Sequence, residues 1–95
     1  MRIHKYGIGG AGSVTSLLLP AGAQVLSVGV QSRAIYVWIL LDPNVPVTET
    51  RNFIIVGTGW DVNRNALGNF VGTVHDGEFV WHVFVKSGEE CDASS

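Results

Sequence analysis

The stretch Asn69 to Lys86, NFVGTVHDGEFVWHVFVK, contains an Asp76-Gly77 pair between two runs rich in β-branched and aromatic residues. An Asp-Gly pair in this setting is the strongest short-range hairpin signal, because both central residues of a type I′ turn need a positive φ, which Gly and Asp tolerate best. A two-residue loop at this pair predicts that Gly72 lies opposite Trp81. The sequence therefore predicts a closing pair of antiparallel strands.

Upstream of this hairpin, the same residue types predict five further strands. They are residues 2–8, 14–19, 24–31, 34–41 and 51–58. A two-residue turn at positions 32 and 33 would pair Ser27 with Trp38 and Leu26 with Ile39. The third and fourth strands are therefore expected to form a second hairpin.

The remaining segments predict loops and at most one short helical turn. Residues 42–50, DPNVPVTET, contain two prolines and no helical period, so we expect a loop there. A helical turn fits at residues 62–66, with Asp61 as its N-cap. About seven strands with polar turns and no amphipathic helix predict an all-β fold, a single-domain antiparallel β-sandwich or small barrel.

Length and composition indicate one domain with an unusually uncharged surface. The 95 residues suffice for a single core. Charged residues make up 15% of the chain, against about 25% in a typical globular domain. We therefore expect a second copy to cover part of the surface, in a homo-oligomer. No apolar run approaches the roughly 20 residues that span a bilayer, and the N-terminus lacks the apolar segment of a signal peptide, so we expect a cytoplasmic protein without membrane contact.

The charges are unevenly placed along the chain. Residues 1–86 hold six basic and five acidic residues, while Glu89, Glu90 and Asp92 follow. We expect a β domain over residues 1–86 and an acidic flexible tail over residues 87–95. The cations are scattered, so they form no basic stripe for general nucleic-acid binding.

Four short motifs lie between residues 3 and 85. They are Pro-x-Gly-Ala at 20–23, Trp-x-x-x-Asp-Pro at 38–43, Gly-Thr-Gly at 57–59 and Trp-His-x-Phe at 81–84. In these motifs the sequence resembles a family of small proteins of unknown function encoded by tailed bacteriophages and prophages. Members usually carry His after Gly-Thr-Gly, where this chain has Trp60. The resemblance implies a phage origin and an all-β fold, and it supplies no assigned activity.

The Gly57-Thr58-Gly59 motif, with Trp60 after it, is the first candidate site. Successive N–H groups in a glycine-rich turn can form an anion-binding nest. The motif lacks the Gly-Lys-Ser/Thr ending of a P-loop and the following helix of a dinucleotide fingerprint. A tight corner where a strand leaves the sheet explains the same glycines. Both interpretations stand, a phosphate or nucleotide contact and a structural turn.

His82 is the second candidate site, and the predicted hairpin places His75 on the same face. Two histidines on neighbouring strands could bind a metal, but stable zinc sites need three or four ligands and the sequence places no third. Cys91 is the only cysteine in the sequence, so it has no second thiol with which to bind a metal. We therefore expect neither a metal nor another cofactor, and His82 is either a ligand contact or a packed, hydrogen-bonded residue.

Tyr36 and Trp38 form the third candidate site, because they project with Leu40 from one face of a strand whose other face is also apolar. This face could lie under a loop, form a subunit interface, or stack on a planar ligand, since Tyr and Trp combine a large apolar area with a polar group. All three possibilities remain open.

No residue constellation indicates catalysis, because the carboxylates lie in turns and the serines lack a nucleophile-elbow context. We therefore expect a non-enzymatic phage accessory binding protein, oligomeric, that interferes with a process in the host cytoplasm. Its target would be a defence protein, which it inhibits, or a small nucleotide signal, which it sequesters. The alternative is a structural protein of the virion, used in assembly or decoration.

Overall fold

Seven strands and one short helix form in residues 1–10 and 12–87, which the computed structural model describes. The strands are β1 (Arg2–Gly7), β2 (Val14–Pro20), β3 (Gln24–Gln31), β4 (Ala34–Leu41), β5 (Val47–Gly57), β6 (Asn69–Asp76) and β7 (Phe79–Ser87), and the helix is α1 (Arg64–Leu67). All strand pairs are antiparallel. The predicted all-β class is confirmed.

The strands are arranged in two sheets that do not close into a barrel. One sheet has three strands in the order β1-β4-β3, and the other has four in the order β2-β5-β7-β6. The open antiparallel sandwich is therefore the correct one of the two predicted architectures. No helix in the described part of the chain is long and apolar enough to span a membrane.

The core lies between the two sheets. Along β4, buried and half-buried residues alternate, because successive side chains of a strand point to opposite faces. The buried set of the three-stranded sheet is Ile35, Val37, Ile39 and Leu41, and that of the four-stranded sheet includes Leu19, Phe53, Ile55, Val74 and Val83. Each such side chain stabilises the fold by about 1.5–3 kcal/mol through removal from water. The faces turned away from this core are called the outer faces below.

The closing hairpin is present, but its predicted register is wrong. Asp76 pairs with Phe79, so the two turn residues are Gly77 and Glu78. Gly77 has a φ of 60°, whereas Glu78 is not among the residues with positive φ. A positive φ at the first turn position alone corresponds to type II′, where Gly is preferred at that position, and not to the expected type I′. As a result Trp81 lies opposite Val74 and not opposite Gly72.

Most of the predicted register of the β3–β4 hairpin is confirmed. Ser27 pairs with Trp38 as expected. Leu26 does not pair with Ile39, because a bulge between Val25 and Ser27 gives that position to Val25. A bulge adds one residue to one strand, and the bulged residue is left without a partner.

Several predicted boundaries also differ from the observed ones. Strand β5 begins at Val47, inside the segment predicted as a loop, because residues 47–50 pair with β2 despite the nearby prolines. The helical turn starts after Asn63, whose side chain accepts a hydrogen bond from the Asn65 N–H, so Asn63 and not Asp61 is the N-cap. Strand β7 extends to Ser87, and the rest of the predicted acidic tail, residues 88–95, lies outside the described residues.

Candidate functional site

Residues 57–60, called the glycine corner below, form a tight turn at the end of β5. The Trp60 N–H donates a hydrogen bond to the Gly57 carbonyl over 3.2 Å. Gly59 has a φ of 85°, as the third residue of a type II turn requires. Thr58, Gly59 and Trp60 are exposed. The corner thus presents a hydroxyl, an open glycine backbone and an indole at the edge of the sheet.

His82 lies next to this corner, on the outer face of the four-stranded sheet. Its Nε2 is 2.7 Å from the Thr58 hydroxyl, and its Nδ1 is 2.9 Å from the Thr73 hydroxyl. A hydroxyl can donate or accept, so both ring nitrogens have partners in either neutral tautomer. Thr73 was not predicted as a site residue, because only the observed register places it opposite His82. Two hydroxyls therefore fix the orientation of the imidazole.

A cavity of about 250 Å³ opens beside His82. The corner and the segment after it form one wall, with Val62 and Leu67, while Phe84 lies on the sheet side. The Lys86 ammonium donates a hydrogen bond to the Asn65 carbonyl over 2.7 Å and so links α1 to β7. The helix that follows the corner is therefore attached to β7, and Leu67 of this helix forms part of the cavity wall.

Trp60 also belongs to an aromatic cluster with Trp81 and Phe79. The rings of Trp60 and Trp81 meet edge to face at 5.9 Å, and those of Phe79 and Trp81 stack at 5.4 Å with an interplanar angle of 9°. Gly57 allows this arrangement, because a Cβ there would lie 2.7 Å from the Trp60 indole. A second cavity, of about 400 Å³, is lined by these three rings together with Thr58. Trp60 and Thr58 therefore line two cavities.

Tyr36, Trp38 and Leu40 lie on the outer face of the three-stranded sheet and are half-buried. Trp38 packs over Gly29, where a Cβ would lie 3.2 Å from the indole, and the Lys5 ammonium lies 4.7 Å from the centre of the Tyr36 ring. Since His82 is on the outer face of the other sheet, the structure separates these rings from the glycine corner. Within one chain, the sequence-predicted ligand residues form two groups and not one.

The corner has a carboxylate beside it, because Glu78 lines the second cavity. No Lys or Arg is among the described residues that line its two cavities. The one ion pair found in the described part of the chain joins Arg51 to Glu49 at 2.9 Å, where the hydrogen bond from Arg51 lowers the pKa of the Glu49 carboxyl. Residues 1–10 and 12–87 contain no group of three or more His, Cys, Asp or Glu side chains placed to hold a metal ion. An anion at the corner would depend on N–H and O–H donors.

Comparison with known protein families places nearly the whole chain in a family. A family model described as a domain of unknown function, DUF7352, matches residues 1–93. No curated protein and no solved structure matches the chain. The family match covers nearly the whole sequence, and its description names no activity.

Proposed function

We propose that this chain, which belongs to the DUF7352 family, is a non-enzymatic binding protein that holds a small planar ligand at the glycine corner. The observation that carries the proposal is the position of Trp60, whose indole is 48% exposed and lines both cavities at the corner. An exposed ring beside a hydroxyl and an imidazole offers a stacking surface together with hydrogen bonds for the polar rim of a ligand.

A small nucleotide signal is the ligand class that this arrangement suits best. A base can stack on Trp60 because every base has a π-face, and stacking contributes about 1–3 kcal/mol per base. The Thr58 hydroxyl can exchange a further hydrogen bond with the base edge or sugar, and His82, whose two ring nitrogens contact Thr58 and Thr73, holds that hydroxyl in place. The open backbone at Gly59 can approach a phosphate. Because the described residues that line the two cavities include no Lys or Arg, we expect affinity to depend more on stacking than on salt.

The biological context of the proposal comes from the resemblance to phage-encoded proteins. In that context the protein acts in the cytoplasm of the host and sequesters a nucleotide signal of a defence system, or inhibits a defence protein directly. The proposal includes self-association, for which Tyr36, Trp38 and Leu40 are the interface residues expected from sequence. It requires no bound cofactor.

Thermal-shift measurements against cyclic and linear nucleotides test the proposal. A ligand at 100 times its dissociation constant stabilises the folded state by about 2.7 kcal/mol. In a domain of this size, 1 kcal/mol corresponds to about 4–8 °C in Tm. We expect Trp60→Ala to abolish the shift and Trp38→Ala, a matched indole deletion on the other sheet, to preserve it. The absence of a shift with every nucleotide, or equal losses in the two variants, would contradict the proposed site.

The second candidate function is structural, in assembly or decoration of a virion. It is favoured by exposed apolar side chains on the outer faces, among them Ile3 at 59%, Leu18 at 60% and Phe70 at 60% exposure. Such faces can pack against copies of the chain or against other virion proteins. Mass spectrometry of purified virions separates the two functions, because a structural protein is retained at fixed stoichiometry while a cytoplasmic binding protein is lost.

A further inference from the structure

The second cavity, of about 400 Å³, has a carboxylate among its aromatic rings. Glu78 lines it together with Trp60, Phe79 and Trp81. In the described part of the chain, neither the side-chain hydrogen bonds nor the one ion pair involves Glu78, although Arg33 lines a neighbouring cavity with it. An ionised carboxylate only accepts hydrogen bonds. A ligand that meets Glu78 in this cavity must therefore carry donors on the facing edge.

The backbone of β7 adds a donor and an acceptor to the same cavity. Ile55 makes its backbone hydrogen bonds with the loop that precedes β2, so the next pair, Val56 and His82, is the one that bonds β5 to β7. Val80 directs its N–H and carbonyl to the same side as His82, because hydrogen bonding alternates along a strand. There β5 has already ended at Gly57, and no turn or loop hydrogen bond of the described residues uses these two groups. Val80 lines the second cavity, so both groups can reach a ligand in it.

We propose that the second cavity selects guanine among the nucleobases, with the Glu78 carboxylate accepting hydrogen bonds from the N1–H and the 2-amino group of the base. The inference rests on the proposed function and deepens it, because it names the base of the nucleotide. The pairing edge of guanine presents the acceptor O6 beside two adjacent donors. The Val80 N–H matches O6, and the two oxygens of Glu78 match the two donors in a bidentate contact.

The other bases match these groups less well. Adenine and cytosine place a ring nitrogen without a proton beside their amino group, so this acceptor would face the carboxylate oxygens. Uracil and thymine present one N–H between two carbonyl oxygens. In each case an acceptor is set against an acceptor, and both lose hydrogen bonds to water without gaining a partner. Guanine is the base whose two donors are neighbours.

The two cavities at the glycine corner keep the phosphate apart from the carboxylate. Glu78 lines the second cavity, whereas Gly59, whose open backbone suits a phosphate, lines the His82 cavity. Trp60 and Thr58 line both cavities. A base stacked on Trp60 can therefore point its pairing edge to Glu78 while the sugar lies at Thr58 and the phosphate at Gly59.

Isothermal titration calorimetry of the full chain with the 5′-monophosphates of guanosine, inosine and adenosine tests the proposal, because these ligands share one sugar and one phosphate. We expect guanosine monophosphate to bind at least about tenfold more tightly than adenosine monophosphate. Inosine monophosphate, which keeps the N1–H and lacks the 2-amino group, should lie between them. The comparison is repeated with the cyclic dinucleotides of guanosine and of adenosine.

Two variants assign the preference to the carboxylate. Glu78→Gln replaces one of the two acceptors by a donor, so the ratio of guanine to adenine affinity should fall to about threefold or less. Asp61→Asn is the matched control, because Asp61 follows Trp60 in the chain but lines neither cavity, and it should leave the ratio unchanged. Thermal melts confirm that both variants are folded, and the inosine comparison tests the inference on the wild type alone.

Equal affinity of the wild type for guanine and adenine nucleotides would overturn the inference and leave the proposed function standing. The same holds for a guanine preference that persists in Glu78→Gln, or for a variant in which all affinities change by one factor, since the carboxylate would then act only by repelling phosphate. Absence of binding by every nucleotide would overturn the proposed function together with the inference.

Discussion

Replacing Gly68 with Ala should destabilise the protein through two separable effects. Gly68 has a φ of 76° and a ψ of −138°, a backbone conformation essentially confined to glycine. A Cβ at this position would also contact the Val85 carbonyl and would lie 2.9 Å from the Cα of Lys86. The strained conformation costs about 1–3 kcal/mol. Displacing strand backbone to relieve the contact adds about 1–3 kcal/mol.

Gly22 provides the matched control for this substitution. Its φ of 81° is also positive, but an added Cβ would meet nothing within 4 Å among the residues that the structure describes. Gly22→Ala should therefore show the backbone strain alone, about 1–3 kcal/mol, and Gly68→Ala should lose about 1–3 kcal/mol more. In thermal melts each kcal/mol corresponds to about 4–8 °C for a domain of this size.

Urea denaturation of the wild type and both variants measures the difference directly as a shift of the midpoint at constant slope. The Gly68 variant should also lose ligand response, because Gly68 connects α1, which forms one wall of the His82 cavity, to β6. Equal destabilisation of the two variants would refute the backbone contact as the dominant cost. A strongly destabilised variant with an intact ligand response would refute the role of α1 as a cavity wall.

Three further substitutions test other parts of the structure. The Arg51 hydrogen bond lowers the pKa of Glu49, so the ionised Glu49 stabilises the folded state fully above its ordinary pKa of 4.5. This stabilisation is lost as the pH falls through the lowered pKa. Glu49→Gln should therefore make the free energy of unfolding less dependent on pH in the acid range, as measured by circular dichroism titrations. Arg33 has a φ of 67°, a left-handed conformation that costs a residue with a Cβ more free energy than it costs glycine. Arg33→Gly removes this cost, which exceeds the entropy that a glycine gains in the unfolded chain, so it should raise the free energy of unfolding by about 0.5 kcal/mol in thermal melts. Gly57→Ala places a Cβ 2.7 Å from the Trp60 indole and should cost about 1–3 kcal/mol. Most of that loss should disappear in a Trp60→Ala background in a double-mutant cycle.

The strands could be predicted from sequence because their signals are local. Alternation of side chains along β4 assigned its two faces correctly, and the bounds of β3 and β4 were predicted to the residue. The turn of the closing hairpin lies one residue later than predicted, which changes every cross-strand partner between Gly72 and Asp76 by two residues, since Asp76-Gly77 permits a turn that starts at either residue 76 or residue 77. Which turn forms depends on the pairing of β7 with β5 as well as with β6, and this information is not local.

The candidate site depended more strongly on long-range pairing than the strands did. The sequence nominated Thr58 and His82 separately, but their contact requires that β5 and β7 be neighbours. Trp81 was matched to Gly72, whereas the structure sets it beside Gly57 of β5. Tyr36 was grouped with the glycine corner as a ligand residue, and sheet membership separates them. A sequence can therefore predict that a glycine packs against a large ring, but it does not predict which strand carries that ring.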